Sequence, residues 1–268
     1  MTFDARPHVA ELRAIGITRI ERVFTRAECE EYVARLNQLT EQFVRDGKID
    51  LNEDTQVITN FFRHAPEMLP LVFNPQIDTI FHEVIDDDYV LMSTNAINRS
   101  FRVENPTRKR HADSWHSDSR YVGGKRISEN FNFVLVIMLE DFTLENAPTE
   151  YIPGSHFDRS IPNRNGDYKG EKLLGEAGTM VIFDAGLWHR GGPATRKSRW
   201  SVFNVYSPWF VKPYFRYNDM ITRDNNIRLT PALRRIFHFD SIPPVDEDEG
   251  IATLARVRAM EKKRERRD

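Results

Sequence analysis

Cys29, Tyr32, Val33, Leu36, Leu39 and Phe43 recur near helical spacing. Thr25-Arg26-Ala27-Glu28 ahead of them reads as a capping box. Together they predict a helix running to about Phe43, with Gly47 ending it. A second helical stretch, roughly Leu69 to Val84, is broken by Pro75. The pattern then changes. Tyr89 to Val103 reads as extended, and Phe131 to Leu139 (FNFVLVIML) is an apolar, β-favouring run of the buried-strand kind. Gly178 to Asp184 (GTMVIFD) and Arg199 to Tyr206 (RWSVFNVY) predict two more strands. Turn chemistry separates them at Pro153-Gly154, Asn165-Gly166 and Gly191-Gly192-Pro193. Thr230 before Pro231 suits a helix N-cap followed by a first-turn proline. From Gly250 the chain reads as helical and ends in the charged tail KKRERRD.

Helices, then many short strands, then helices point to an α+β fold with an antiparallel sandwich or barrel in the middle. No repeat or low-complexity linker divides the chain. The expected organisation is one domain over 1–268, with a mainly helical part to 88, a β core over 89–217, and C-terminal helices and tail over 218–268. Pro243 to Gly250 (PPVDEDEG) is the best linker candidate and would detach only the tail.

Composition narrows the function classes. The 268 residues suffice for one sizeable core, and 40% hydrophobic with 29% charged residues is globular usage. A net charge of −2 argues against nucleic-acid binding by bulk electrostatics. The single cysteine, Cys29, excludes an intrachain disulfide and cysteine-only zinc sites, and it fits a reducing compartment. No apolar run reaches membrane-span length, and MTFDARPHVAELRAIG lacks the apolar core of a secretory signal. A cytoplasmic protein with no membrane association is expected.

The segment HADSWHSDSRY holds two His-x-Asp triplets, His111-Ala112-Asp113 and His116-Ser117-Asp118. On a strand, residues i and i+2 face the same way, so either triplet can aim an imidazole and a carboxylate at one metal. Two nitrogens and one carboxylate on one face form the facial triad of non-haem Fe(II) oxygenases, which leaves three positions open. His189, between an apolar strand and a Gly-Gly turn, is placed to supply the second imidazole. A His-x-Asp triplet alone reads equally well as two solvent-facing polar residues.

The stronger signal is Arg199-Trp200-Ser201. If the strands around RGGPATRKS pair as a hairpin, Arg199 returns close to His189. Alternation puts Arg199, Ser201, Phe203 and Val205 on one face and Trp200, Val202, Asn204 and Tyr206 on the other. An inward arginine beside a hydroxyl needs an anion, and a carboxylate fits the guanidinium fork.

These pieces resemble the 2-oxoglutarate-dependent Fe(II) oxygenases, and more closely the phytanoyl-CoA dioxygenase family. The matching segments are WHSDSRY (Trp115 to Tyr121), ENAPTEYIPGSH (Glu145 to His156), GTMVIFDAGLWHRGG with His189, and RWS (Arg199 to Ser201). They span roughly Tyr89 to Pro208. The resemblance implies a double-stranded β-helix core (jelly-roll or cupin-like) with flanking helices. It carries the iron ligands onto His116, Asp118 and His189, because Trp115 and Tyr121 flank the second triplet as in the family. His111 and Asp113 then lie at the rim. Arg199, with Ser201 beside it, becomes the clamp for the far carboxylate of 2-oxoglutarate. The implied cofactors are Fe(II), the co-substrate 2-oxoglutarate and O2, and the implied products are succinate, CO2 and an oxidised small molecule. With Asp118 present, hydroxylation or a related oxidation is the expected outcome.

Two other classes share part of this pattern. A metal-binding β-barrel without oxygenase activity, acting as a sensor or binding module, would need the triad but not the arginine. A metal-assisted hydrolase or isomerase would leave Arg199 and Ser201 unexplained. Arg99, Arg102, Arg108, Lys109, Arg110, Arg120, Lys125 and Arg126 surround the triplets; they favour an anionic substrate or are solvated loop charge. The six aromatics of Tyr206 to Tyr217 read as core or dimer surface before pocket wall. His156 reads as a turn-stabilising residue or a neighbour of the site, Trp188 as core packing, and His64, His82 and His238 as structural or exposed.

Overall fold

In the run FVLVIM every side chain is buried. That is what an apolar strand covered on both faces requires. The computed structural model describes residues 3–50, 55–99, 114–119, 121–122, 125–126, 131–192, 198–242 and 246–247. Its strands are β1 (Ile17–Ile20), β2 (Thr55–Thr59), β3 (Val90–Arg99), β4 (Tyr121–Val122), β5 (Lys125–Arg126), β6 (Phe133–Met138), β7 (Thr149–Tyr151), β8 (Glu171–Lys172), β9 (Met180–Asp184), β10 (His189–Gly191) and β11 (Arg199–Ser207). Its helices are α1 (Arg6–Ile15), α2 (Arg26–Arg45), α3 (Pro75–Val84), α4 (Tyr217–Asp224) and α5 (Pro231–Ile236).

The large sheet has the order β1-β9-β6-β11-β3-β2, antiparallel throughout. The small sheet has the order β10-β7-β8, and β4 pairs with β5. Alternation along β11 splits the interior as the sequence predicts. Trp200, Val202 and Tyr206 face a core with Leu36, Leu39, Ile80 and Phe81 of the helices. Phe203 and Val205 face a second core with Val134, Val136, Met138, Val181 and Phe183, closed by Tyr151, Leu173 and Leu187. Helices therefore cover one face of the large sheet and the small sheet covers part of the other. This is the double-stranded β-helix arrangement with flanking helices.

Local chemistry explains the helix ends. Thr25 and Glu28 form the full capping box of α2. Gly47 sits at φ +68°, and the Lys48 N–H returns to the Phe43 carbonyl. Thr230 accepts from the Leu233 N–H, with Pro231 in the first turn of α5.

Three expectations change. Pro75 opens α3 behind an Asn74 cap, and the residues before it form a separate short 3-10 helix, Pro66–Leu71. The N-terminal part is not only helical: β1 pairs with β9 and β2 with β3 at the two edges of the large sheet. The strands around RGGPATRKS form no hairpin. β10 pairs with β7 in the small sheet, while β11 lies between β6 and β3 in the large one. The helical reading from Gly250 falls outside the described residues, as does most of the linker candidate. Among the described residues no helix is long and apolar enough to cross a membrane.

One glycine locks α2 to the sheet. Gly178 has φ +87°, its carbonyl accepts from Val23 and Phe24, and its N–H donates to Met138. A Cβ there would fall on the Phe24 carbonyl oxygen. Gly178→Ala is expected to lower stability by about 2–3 kcal/mol, from left-handed strain plus displacement of that turn. A melting series reads this directly; an unchanged midpoint would mean that the turn has room to move.

Candidate active site

His189 begins β10 just after the tight turn that follows β9. Asp184 shapes that turn: its Oδ1 accepts from the Gly186 N–H and its carbonyl from the Leu187 N–H. His116 lies opposite His189. Each main chain donates to the other's carbonyl, at 3.0 and 2.9 Å, forming an isolated antiparallel bridge. Asp118 follows in a bend, with the Ser119 N–H donating to the Ala185 carbonyl. The His-x-Asp pair thus meets as predicted, but through one bridge and a bend rather than a regular strand.

The two imidazole rings are 4.3 Å apart. His116 Nδ1 lies 2.8 Å from the Ser114 carbonyl and His189 Nδ1 lies 2.9 Å from the Leu187 carbonyl. A carbonyl only accepts, so each Nδ1 carries the proton and each Nε2 offers a lone pair. Both Nε2 atoms face Asp118, whose carboxylate oxygens stand 3.8 Å from His116 and 3.6 Å from His189. One donor atom from each of the three lies within 4.8 Å of the others. The donor set suits a divalent cation of the iron type, with both tautomers fixed in advance. His189 is buried against Phe183, while Asp118 is the more exposed member.

Arg199 is 2% exposed. Its Nε donates to the Asn146 carbonyl at 2.9 Å, Nη2 to the Ala147 carbonyl at 2.7 Å, and Nη1 to Ser201 Oγ at 3.1 Å. The guanidinium carbon lies 3.5 Å from the Phe142 ring centroid. No carboxylate among the described residues forms a salt bridge with it. Arg99 is its cross-strand neighbour on β3. Burial, and next the charge of Arg99, push the guanidinium down to about 9. The charge of Glu140 acts the other way and favours the cation. Three of the five N–H groups are engaged, and two remain on the terminal nitrogens.

The space in front of the triad is a cavity of about 720 Å³. Ile97, Val134, Phe203 and Val205 give it an apolar wall, with Asn95, Asn132, Ser117 and Ser119 as neutral polar groups and Tyr214 and Arg164 also lining it. The aromatic stretch divides. Tyr206 and Tyr217 are core, as expected, but Tyr214 lines the cavity and is 56% exposed. Of the basic residues around the triplets, Arg99 donates to the Gly192 carbonyl. His111, Asp113, Arg102, Arg108, Lys109, Arg110 and Arg120 lie outside the described residues. His156 is buried against Gly16 and Phe157, away from the ligand bridge. Trp188 packs on Tyr168 as core. His82 pairs with Asp78 and Asp87, His238 Nε2 donates to the Leu91 carbonyl, and His64 packs edge-on to Phe43.

Sequence reasoning missed Phe142 beneath Arg199 and the Asn146-Ala147 carbonyls that orient it. Ala147 holds φ +57° to present its carbonyl, and an alanine gives no sign of that.

Comparisons with known proteins bear on the family and the fold. The family model "Phytanoyl-CoA dioxygenase (PhyH)" matches residues 12–201, so it extends well into the N-terminal part. A dioxygenase of Aspergillus fumigatus, af480, is 21% identical over 255 residues, covering 90% of this chain and 79% of that protein. HygX from Streptomyces hygroscopicus, solved with nickel, 2-oxoglutarate and hygromycin B, superposes with a TM-score of 0.61 at 14% identity, covering 78% of this chain and 90% of its own. The epimerase SnoN, solved with Fe3+, alpha-ketoglutarate and nogalamycin RO, gives a TM-score of 0.55 at 16% identity, covering 76% and 83%. The chain belongs to the phytanoyl-CoA dioxygenase family of 2-oxoglutarate-dependent non-haem iron oxygenases.

Proposed function

We propose that the protein is an Fe(II)- and 2-oxoglutarate-dependent dioxygenase that oxidises a small molecule. His116, Asp118 and His189 hold the iron, and Arg199 with Ser201 receives the far carboxylate of 2-oxoglutarate. The observation that carries this reading is the pair of imidazoles whose Nδ1 atoms are both tied to carbonyls, so that both Nε2 lone pairs converge on Asp118. Arg199, buried without a salt bridge among the described residues, supports the co-substrate half. Once bound, iron and 2-oxoglutarate supply O2-dependent oxidation of a substrate C–H bond, with release of succinate and CO2.

The chain's own part is positional. The carbonyls of Ser114 and Leu187 hold Nδ1 of each ring, so that Nε2 is the nitrogen presented to the metal. Phe142, Asn146 and Ala147 fix the guanidinium plane. Phe203, Val205 and Val134 exclude water from one side of the cavity. Among the described residues, its charged lining is Asp118 and Arg164 alone, so we read the substrate as an apolar skeleton with neutral hydrogen-bonding groups rather than one recognised by a cluster of cations. Hydroxylation is the outcome we favour over epimerisation or another oxidation. Cys29 is wholly buried and burial pushes its thiol up to about 11, which leaves it inert.

The reading is tested by incubating the protein with 2-oxoglutarate in air and measuring succinate. Slow release is expected with Fe(II) and none with Zn(II). No release with either metal would favour the binding-module or hydrolase class.

A further inference from the structure

We propose that Arg190 is a positioning residue for the metal site, fastening the segment that carries His116 and Asp118 to the strand that carries His189. The proposal rests on the iron-site reading above and concerns the reverse side of the ligand bridge.

Because His116 and His189 are directly opposed, their neighbours Trp115 and Arg190 are opposed as well, on the other face. The Arg190 guanidinium carbon lies 4.6 Å from the Trp115 ring centroid. That distance is within cation–π range. On its other side Arg190 is the register partner of Glu150 in β7. Its Nε and Nη2 both lie 2.6 Å from Glu150 Oε2. Glu150, Arg190 and Trp115 therefore form a continuous row from β7 across β10 to the segment bridged to it at His116, behind the two imidazoles. Glu150 is only 12% exposed, and Trp115 is wholly buried under Tyr168 and Gly170.

The row matters because the ligand-bearing segment has little regular structure to hold it. Residues 114–119 supply two of the three ligands without forming a regular strand; among the described residues their main-chain bonds include the His116–His189 pair, Trp115 N–H to the Arg164 carbonyl, and Ser119 N–H to the Ala185 carbonyl. Trp115 is the segment's anchor in the core, and Arg190 ties that anchor to the small sheet. A cation stacked on the ring and paired to a shielded carboxylate fixes both the depth and the rotation of the segment. Asp118, two residues beyond the bridge, inherits that orientation.

The test uses the full chain freed of metal. Fe(II) affinity is measured anaerobically, Co(II) is added as a spectroscopic probe of coordination geometry, and thermal unfolding of the metal-free protein serves as the control. Arg190→Gln is expected to lower Fe(II) affinity about tenfold, the scale of losing a group that orients a metal ligand, and to change the Co(II) visible spectrum. Metal-free stability should fall as well, because Glu150 is left shielded without its cation, so the Co(II) spectrum and the lysine variant separate lost orientation from lost stability. Arg190→Lys should recover part of the affinity, because a cation remains between Glu150 and Trp115 without the planar fork. Wild-type affinity and an unaltered Co(II) spectrum in Arg190→Gln would overturn the proposal. So would an affinity loss that only tracks lost stability and is not relieved by lysine. Failure of the unmodified protein to bind iron would instead count against the active-site reading itself.

Discussion

Asp118→Ala is expected to abolish iron-dependent turnover, while Asp113→Ala is expected to leave most of it. Asp118 brings the only negative charge to a group of three donors that otherwise holds two neutral nitrogens. Its two oxygens stand 3.8 and 3.6 Å from the two Nε2 atoms, so one metal ion can take all three ligands without rearranging the bridge. Losing a ligand outright costs more than disturbing its surroundings, which already lowers metal affinity roughly 10–100-fold. Metal retention after dialysis and succinate release should therefore fall together. Asp113 lies outside the described residues and is assigned to the rim by the family pattern, so its loss leaves the donor set intact. The opposite result would move the centre to His111 and Asp113.

Arg199→Ala is expected to weaken 2-oxoglutarate binding while iron binding survives. Truncating one partner of a buried charge pair costs roughly 2–5 kcal/mol, or at least about thirtyfold in affinity. The variant also leaves the Asn146 and Ala147 carbonyls without their donor. Arg199→Lys should restore little, since a single ammonium cannot serve two carbonyls, Ser201 and a carboxylate from one plane. Titrating 2-oxoglutarate into the iron-loaded variant checks this. Unchanged affinity would take the clamp away from Arg199 and leave a buried cation needing a different anion.

The parts of the fold that could be read from the sequence were those with strong period or strong punctuation. α2 carries a capping box and a six-member apolar stripe, and β6, β9 and β11 are long apolar runs; all four lie close to where the pattern puts them. β1, with the sequence ITRI, and β2, with TQVIT, are short edge strands. Their identity comes from partners more than 30 positions away, which no local pattern carries. The same reason defeats the hairpin expectation: Gly191-Gly192 is good turn chemistry, but β10 and β11 find better-matched partners in separate sheets. At the site, His116, Asp118 and His189 do lie together, a choice the family resemblance made where spacing left His111 and Asp113 open; Arg199 and Ser201 share a face of β11 as alternation puts them, but not by the hairpin return to His189. Phe142, the carbonyls around Arg199, and the Glu150–Arg190–Trp115 row were not legible. Carbonyls have no residue signature, and an Arg-Glu pair 40 positions apart looks like ordinary surface charge until the strands align.

The central claim is that one open metal site and one buried arginine together hold a chelating 2-oxo acid. An anaerobic titration of the metal-free protein with Fe(II), then 2-oxoglutarate, followed by visible absorbance, tests it most directly. A weak charge-transfer band that needs both components is expected, lost in Asp118→Ala and displaced to much higher 2-oxoglutarate concentration in Arg199→Ala. Iron binding without the band at saturating 2-oxoglutarate would contradict the account.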